Sequence, residues 1–232
     1  MTAVAVDQSL AAIRMRIAAA CSRAGRAPES VRLVAVTKGV EVERIRAAVA
    51  AGLRDLGENR VQEALSKIEA LPDQPLRWHF IGRLQRNKVR HIIGRFDLIH
   101  SLADLELAEE LDRRVAAAGV PQPVLIQVNV AREPSKAGVA PDAVDGFVEA
   151  LRRRSNLRLQ GLMTIPPADT DLQSTRRYFA WLREKIEDLR RQGLELPELS
   201  MGMSADFEVA IEEGATLVRI GSAIFGPRSA AA

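Results

Sequence analysis

Leu33-Val34-Ala35-Val36-Thr37-Lys38 is an apolar, β-branched run that ends on a charged residue and is followed by Gly39. A run this short, bounded by turn chemistry, reads as a buried strand, and its terminal lysine falls where a strand of a parallel barrel opens at the mouth. An uncompensated lysine is costly in such a place. It either caps the strand with its amine in water or it has chemistry to do.

The same alternation of strand-like and helix-like pattern continues on both sides. Strands are predicted over Arg32 to Thr37, Leu53 to Gly57, Arg77 to Ile81, Asp97 to His100, Pro123 to Val130, Arg158 to Met163, Leu199 to Met201 and Leu217 to Ile220. Helices are predicted over Asp7 to Ala24, Val42 to Ala51, Val61 to Leu71, Asn87 to Ile93, Leu105 to Ala118, Ala143 to Arg154, Leu172 to Gln192 and Phe207 to Glu213. Eight strands with intervening helices and no consecutive hairpins argue for a single closed (β/α)8 TIM barrel over residues 1–232, in preference to an open doubly wound sheet. Too few residues follow the eighth strand for a closing helix. The first helix is therefore expected to cover the outer face of strands eight and one.

Composition narrows the classes. The 232 residues, 47% of them hydrophobic, suffice for one large core. Lys and Arg number 33 against 30 Asp and Glu, so the net charge of +3 does not by itself imply a nucleic-acid partner. Cys21 is the only cysteine, which excludes an intramolecular disulfide and fits a reducing cytoplasm. No signal core is present, and no apolar segment approaches the ~20 residues needed to span a bilayer. The basic residues Arg83, Arg86, Lys88, Arg90 and Arg152-Arg153-Arg154 come with only 4% aromatic residues, so they read as solvated helix faces.

Two loops carry the second signal: Ser200-Met201-Gly202-Met203-Ser204 after strand seven and Arg219-Ile220-Gly221-Ser222-Ala223 after strand eight. Barrels often bind phosphate there, since glycine admits an oxyanion close to the backbone and Ser204 and Ser222 add hydroxyl donors. Strand eight neighbours strand one in a closed barrel. Lys38 then lies about 4.8 Å, one strand spacing, from the strand-eight loop. An aldehyde-bearing phosphate ester uses both features, and pyridoxal 5′-phosphate (PLP) meets that description. Arg219, were it to face the pyridine nitrogen, would disfavour protonation there and weaken the cofactor as an electron sink.

The stretches Leu33 to Lys38, Leu56-Gly57-Glu58-Asn59-Arg60-Val61-Gln62-Glu63, Trp78-His79-Phe80-Ile81-Gly82, Gly161-Leu162-Met163-Thr164-Ile165-Pro166, Ser200 to Ser204 and Val218 to Gly226 closely resemble the YggS/PROSC family of pyridoxal phosphate homeostasis proteins. The resemblance implies a fold-type III PLP barrel like the amino-terminal domain of alanine racemase, without that enzyme's C-terminal β domain. It implies PLP as a Schiff base on Lys38, its phosphate on Ser204, Gly221 and Ser222, Arg219 at the pyridine nitrogen, and Asn59, His79 and Met163 lining the ring. It further implies intracellular binding, buffering and delivery of the cofactor, with PLP-dependent apoenzymes as partners and a monomeric protein. Two positions bear on delivery: Val40 stands where some members carry a second lysine, and Lys136 matches a family lysine at the mouth.

The alternative is a weak PLP-dependent, racemase-like enzyme. A racemase needs acid–base groups on both faces of the cofactor, and the only tyrosine, Tyr178, falls on an apolar-periodic helix where packing explains it. His79 and His100 stand at strand ends, either lining the pocket or satisfied within the structure. A class I aldolase-like barrel also pairs lysine with phosphate loops, but its lysine usually comes from a later strand. The sequence therefore favours a carrier with no catalytic residues of its own.

Overall fold

In the computed structural model, which describes residues 3–72 and 74–226, eight parallel strands close on themselves in chain order. They are β1 Arg32–Val36, β2 Asp55–Glu58, β3 Arg77–Phe80, β4 Leu98–Leu102, β5 Gln122–Val128, β6 Leu157–Thr164, β7 Glu198–Ser200 and β8 Leu217–Ile220. The ring is completed by β1 against β8, with Arg32 opposite Leu217 through Ala35 opposite Ile220. Around it run α1 Ala3–Arg23, α2 Val42–Ala50, α3 Val61–Ala70, α4 Val89–Ile92, α5 Leu105–Ala118, α6 Val144–Arg152, α7 Leu172–Arg191, α8 Phe207–Glu212 and α9 Ser222–Phe225.

Local chemistry explains the best-defined ends. Asp104 and Asp171 cap α5 and α7 by accepting from the amides of Leu107 and Ser174, and Gly119 closes α5 in the left-handed conformation. The expected boundaries shift where polar residues enter the barrel. β2 reaches Glu58 because that carboxylate is bonded inside, and β4 continues to Leu102 because His100 is too. An apolar-run criterion stops short of both. The expected helix Asn87 to Ile93 is one turn, α4, preceded by a 3₁₀ turn at Arg86–Lys88. Contrary to expectation, a helix does follow the eighth strand: the single turn α9 starts directly after Gly221.

The first helix packs against α2, α8 and α9, the helices beside the β8–β1 seam. Its buried residues Val6, Leu10, Ile13, Ile17 and Ala20 recur at three- and four-residue spacing and join the apolar cluster that contains Ala35, Val218 and Ile220. The turn after α1 is anchored by Arg26, which donates to the carbonyls of Ile211 (2.7 Å) and Ala215 (2.8 Å). Ion pairs Arg16–Glu208 and Arg23–Glu212 link α1 to α8, and Arg176 of α7 pairs with both Glu212 and Glu213. Inside the barrel a small separate cluster of Val34, Leu98, Leu125, Met163 and Leu217 fills the space.

β6 and β7 approach unusually closely at Gly161, where a Cβ would lie 1.7 Å from the Glu198 carbonyl oxygen. Its φ of +154° and the register shift of the β5–β6 pairing at Val124/Leu125 belong to the same local distortion. Gly161→Ala is expected to force the strands apart and destabilise the protein by on the order of 3 kcal/mol or more in urea unfolding. A change below about 0.5 kcal/mol, the range of an ordinary surface substitution, would show that the contact is not obligatory.

Candidate functional site

A cavity of about 470 Å³ opens at the carboxyl ends of the strands, with Lys38, Asn59, Ser204, Arg219, Gly221 and Ser222 in its wall. Six of the eight residues expected from sequence thus meet at one mouth. The wall also contains Ile81, Arg83, Gln127, Ala137 and Ile165, which the motif reading did not single out. A larger trench of about 1070 Å³ lies beside it, across the loops after β3, β4 and β5. There Arg86 is paired with Glu106 and Asp104 is committed as a helix cap, whereas the smaller cavity gathers groups suited to a ligand.

Lys38 occupies a tight turn. The amide of Val40 donates to the Thr37 carbonyl at 2.9 Å, and Gly39 takes the φ of +69° that the turn requires. Beside it, across the β8–β1 seam, the hydroxyl of Ser222 lies 3.2 Å from that of Ser204. The loop bearing Ser204 is fixed by Gly202, at φ +92°, where a Cβ would sit 2.6 Å from the Cβ of Ala210. It is fixed further by the Met203 amide donating to Asp206 Oδ1 at 2.6 Å. The Gly202 carbonyl accepts from the Arg219 amide at 2.9 Å, tying the two serine loops together.

Arg219 is 3% exposed, and its Nη1 and Nη2 donate to Ser200 Oγ (2.6 Å) and the Thr164 carbonyl (2.8 Å). Burial lowers its pKa to about 10, partly offset by the charge of Asp206, so it remains cationic at neutral pH. From Ser200 a chain of hydrogen bonds runs down through the barrel. Ser200 Oγ is 2.9 Å from His100 Nδ1, His100 Nε2 is 2.9 Å from His79 Nδ1, and His79 Nε2 is 3.0 Å from Asp55 Oδ1. Arg77 then bonds Asp55 at 2.6 and 2.7 Å. The ends fix the direction, because a guanidinium only donates and a carboxylate only accepts. Every link is satisfied by neutral imidazoles, each carrying its proton on Nε2. Burial, the largest cause, holds His100 well below the ordinary histidine range, and the cation Arg219 acts in the same direction. Burial pushes Asp55 up, but the bonds from Arg77 and His79 outweigh it and hold the carboxyl well below the usual range.

His79 and Met163, expected at the ring, are not in the cavity wall. His79 is 1% exposed within the hydrogen-bond chain, and Met163 is wholly buried in the inner apolar cluster. Tyr178 lies on α7 and is likewise absent from the wall. Lys136 donates to the Pro166 carbonyl at 3.0 Å and pairs with Glu133, and Val40 is buried. Asp55 was missed and Ser200 was read only as part of its loop motif, although an acidic residue directly before Leu56 in a core strand is a signal of internal pairing.

The residues present fit a phosphorylated pyridoxal. Paired hydroxyls and Gly221 offer an oxyanion seat, a fixed cation stands in the wall, and Asn59 Oδ1 is buried with no partner, leaving an acceptor for a ring donor. No group of three or more metal-ligating side chains occurs among the described residues, and none of their helices is long and apolar enough to cross a membrane.

Residues 8–229 match the family model described as "Alanine racemase, N-terminal domain", the class of barrel that this fold and site define. The fold is shared with alanine racemase of Corynebacterium glutamicum (TM-score 0.71, 20% identity, 96% of this chain and 62% of that one). Within that class the chain belongs to the pyridoxal phosphate homeostasis protein family. It is 48% identical to the member from Aquifex aeolicus over 95% of this chain and 97% of that one, and 47% identical to the member from Pseudomonas aeruginosa over 96% of each. It also resembles PipY of Synechococcus elongatus, solved with PLP bound (TM-score 0.85, 38% identity, 95% of this chain and all of that one).

Because His100 is held neutral in the folded protein but takes a proton below about pH 6.5 when unfolded, the unfolded state binds more protons in that window. Stability is therefore expected to fall as pH drops from 7 toward 5, with this group contributing up to roughly 1.4 kcal/mol per pH unit. Urea unfolding of wild type and His100→Asn across that range checks it. An equal slope in the variant would remove His100 as the source.

Proposed function

We propose that the chain binds PLP in the Lys38 cavity and holds it for release, acting in cofactor homeostasis as its relatives are named to do. The observation that carries this is the meeting of Lys38 with the Ser204–Ser222 seat in one cavity whose wall includes the cation Arg219. When bound, the cofactor supplies an aldehyde that condenses with one amine, releasing water. On this reading Lys38 Nζ is that amine, so the attachment is a Schiff base. The Ser204 and Ser222 hydroxyls and the Gly221 backbone hold the phosphate, and Arg219 faces the ring nitrogen. Asn59 borders the ring, while His79 and Met163 act from beneath it. His79 does so through Arg219, and Met163 by filling the barrel under the site.

A carrier fits better than a racemase. Beyond Lys38, the titratable side chains in the cavity wall are Arg83 and Arg219, and neither serves as an acid–base partner at neutral pH. The further expectations of a single domain, a monomer, a cytoplasmic setting and delivery to apoenzymes form part of the same proposal. The lone buried Cys21 supports a reducing compartment.

Absorbance of the purified protein with added PLP is expected to show a band near ~420 nm that is absent from Lys38→Ala. That variant should still bind PLP in equilibrium dialysis through the phosphate seat. No band with excess cofactor would overturn the reading. Ser204→Ala combined with Ser222→Ala should leave the band but weaken PLP affinity by roughly 10²- to 10⁴-fold, since two hydrogen bonds to a charged group are lost at about 1.5–3 kcal/mol each. Unchanged affinity would move the phosphate elsewhere.

A further inference from the structure

Beneath the Lys38 turn lies a buried charged cage that the hydrogen-bond chain to Arg219 does not use. Lys67 of α3 is 5% exposed, and its ammonium donates to three acceptors, each at 2.6 Å: the Thr37 carbonyl, Glu58 Oε1 and Glu63 Oε1. Glu58 is wholly buried and accepts a second bond, at 2.6 Å, from the Thr37 hydroxyl. Glu63 accepts the amide of Gly39. Each of the three charged side chains thus bonds Thr37 or Gly39, the residues on either side of Lys38.

Such a cage is a poor way to gain stability. Burying the Glu58 carboxylate and the Lys67 ammonium, with Glu63 partly buried beside them, requires desolvation that packed apolar side chains would avoid, and removing one partner strands the other. What it provides is geometric: the carbonyl before Lys38 and the amide after it are both held by side chains of α3, Lys67 and Glu63, while Glu58 of β2 holds the Thr37 hydroxyl and Lys67. The turn itself has only the Val40 amide to Thr37 carbonyl bond to close it, with a glycine in its second central position. The direction in which Lys38 leaves the chain is set by that turn.

Resting on the cofactor reading above, we propose that Lys67, with Glu58 and Glu63, is a positioning residue that holds the Lys38 turn so that the Lys38 amine meets the cofactor's aldehyde. The cage touches neither the Ser204–Ser222 seat nor Arg219. It therefore governs covalent attachment and leaves phosphate-anchored binding alone.

The test compares wild type with two variants. Glu63→Ala frees the Gly39 amide while leaving Lys67 paired with Glu58. Lys67→Met with Glu58→Gln dismantles the cage without burying an unpaired charge. Attachment is read as the rate at which the PLP absorbance band appears and as borohydride-trapped label on Lys38, across a range of pH. Anchored binding is read with 4′-deoxypyridoxine 5′-phosphate, which has the ring and phosphate but no aldehyde. The expected result is attachment slowed roughly ten- to hundredfold at every pH, because misplacement by about 1 Å is enough for that, with affinity for the deoxy analogue unchanged. Attachment at the wild-type rate in both variants overturns the proposal, as does a parallel loss of analogue affinity, which marks the cage as general support for the fold. Failure of wild type to form the band overturns the cofactor reading and this proposal with it, whereas a normal wild-type band beside normal variants overturns this proposal alone.

Discussion

The barrel is thinnest where its mouth carries the candidate cofactor seat, and a buried guanidinium holds it together there. β7 is three residues long and pairs with β8 in register only through Ser200 and Leu217. Arg219 makes up the deficit from inside, reaching from β8 to Ser200 on β7 and to the last carbonyl of β6. A cation placed there must have its donors occupied and its charge answered. No carboxylate bonds it directly among the described residues. The charge of Asp206 answers it in part, while the chain of oriented hydrogen bonds from Ser200 occupies its neighbours and ends on Asp55, itself anchored by Arg77 at the far end of the barrel. That is why the interior holds only a small apolar cluster, and why two histidines are spent in the core.

The same arrangement bears on what the pocket is suited to do. A fixed cation stands in the wall, and among the described residues of that wall the titratable groups beside Lys38 are arginines. An amine and paired hydroxyls in one wall are suited to a ligand that carries an aldehyde at one end and an anion at the other. Holding and releasing are within the pocket's reach.

The architecture was legible from the sequence because it rests on periodicity. The eight apolar runs from Leu33 to Ile220 alternate with amphipathic segments, and only a closed parallel barrel buries them all. The mouth was legible because glycine, serine and lysine fall at strand ends, where the fold places ligand contacts. What stayed hidden is polar and internal. His79 and His100 could be read either as pocket groups or as satisfied core residues, and only the geometry that joins them to Ser200 and Asp55 decides between the two. Met163 carries a family motif yet faces the inner cluster, since strand alternation and a local bulge set its direction. Lys67 was read simply as part of a helix. Its burial depends on Glu58, one strand away in the fold and nine residues away in the chain.

The helix that covers the β8–β1 seam is made before the strands it covers, and two of the helices it packs against, α8 and α9, come long after it in the chain. Val6, Leu10, Ile13 and Ile17 form an apolar stripe that finds much of its cover on α8 and α9, some two hundred residues later. During synthesis that stripe must wait, exposed or held by something else, until residues 207–225 leave the ribosome. Those same last segments directly follow the Ser204 loop and carry Ser222. Closure of the barrel and the meeting of the Ser204 and Ser222 loops therefore await the same segments, and neither is complete before residues 207–225 have been made.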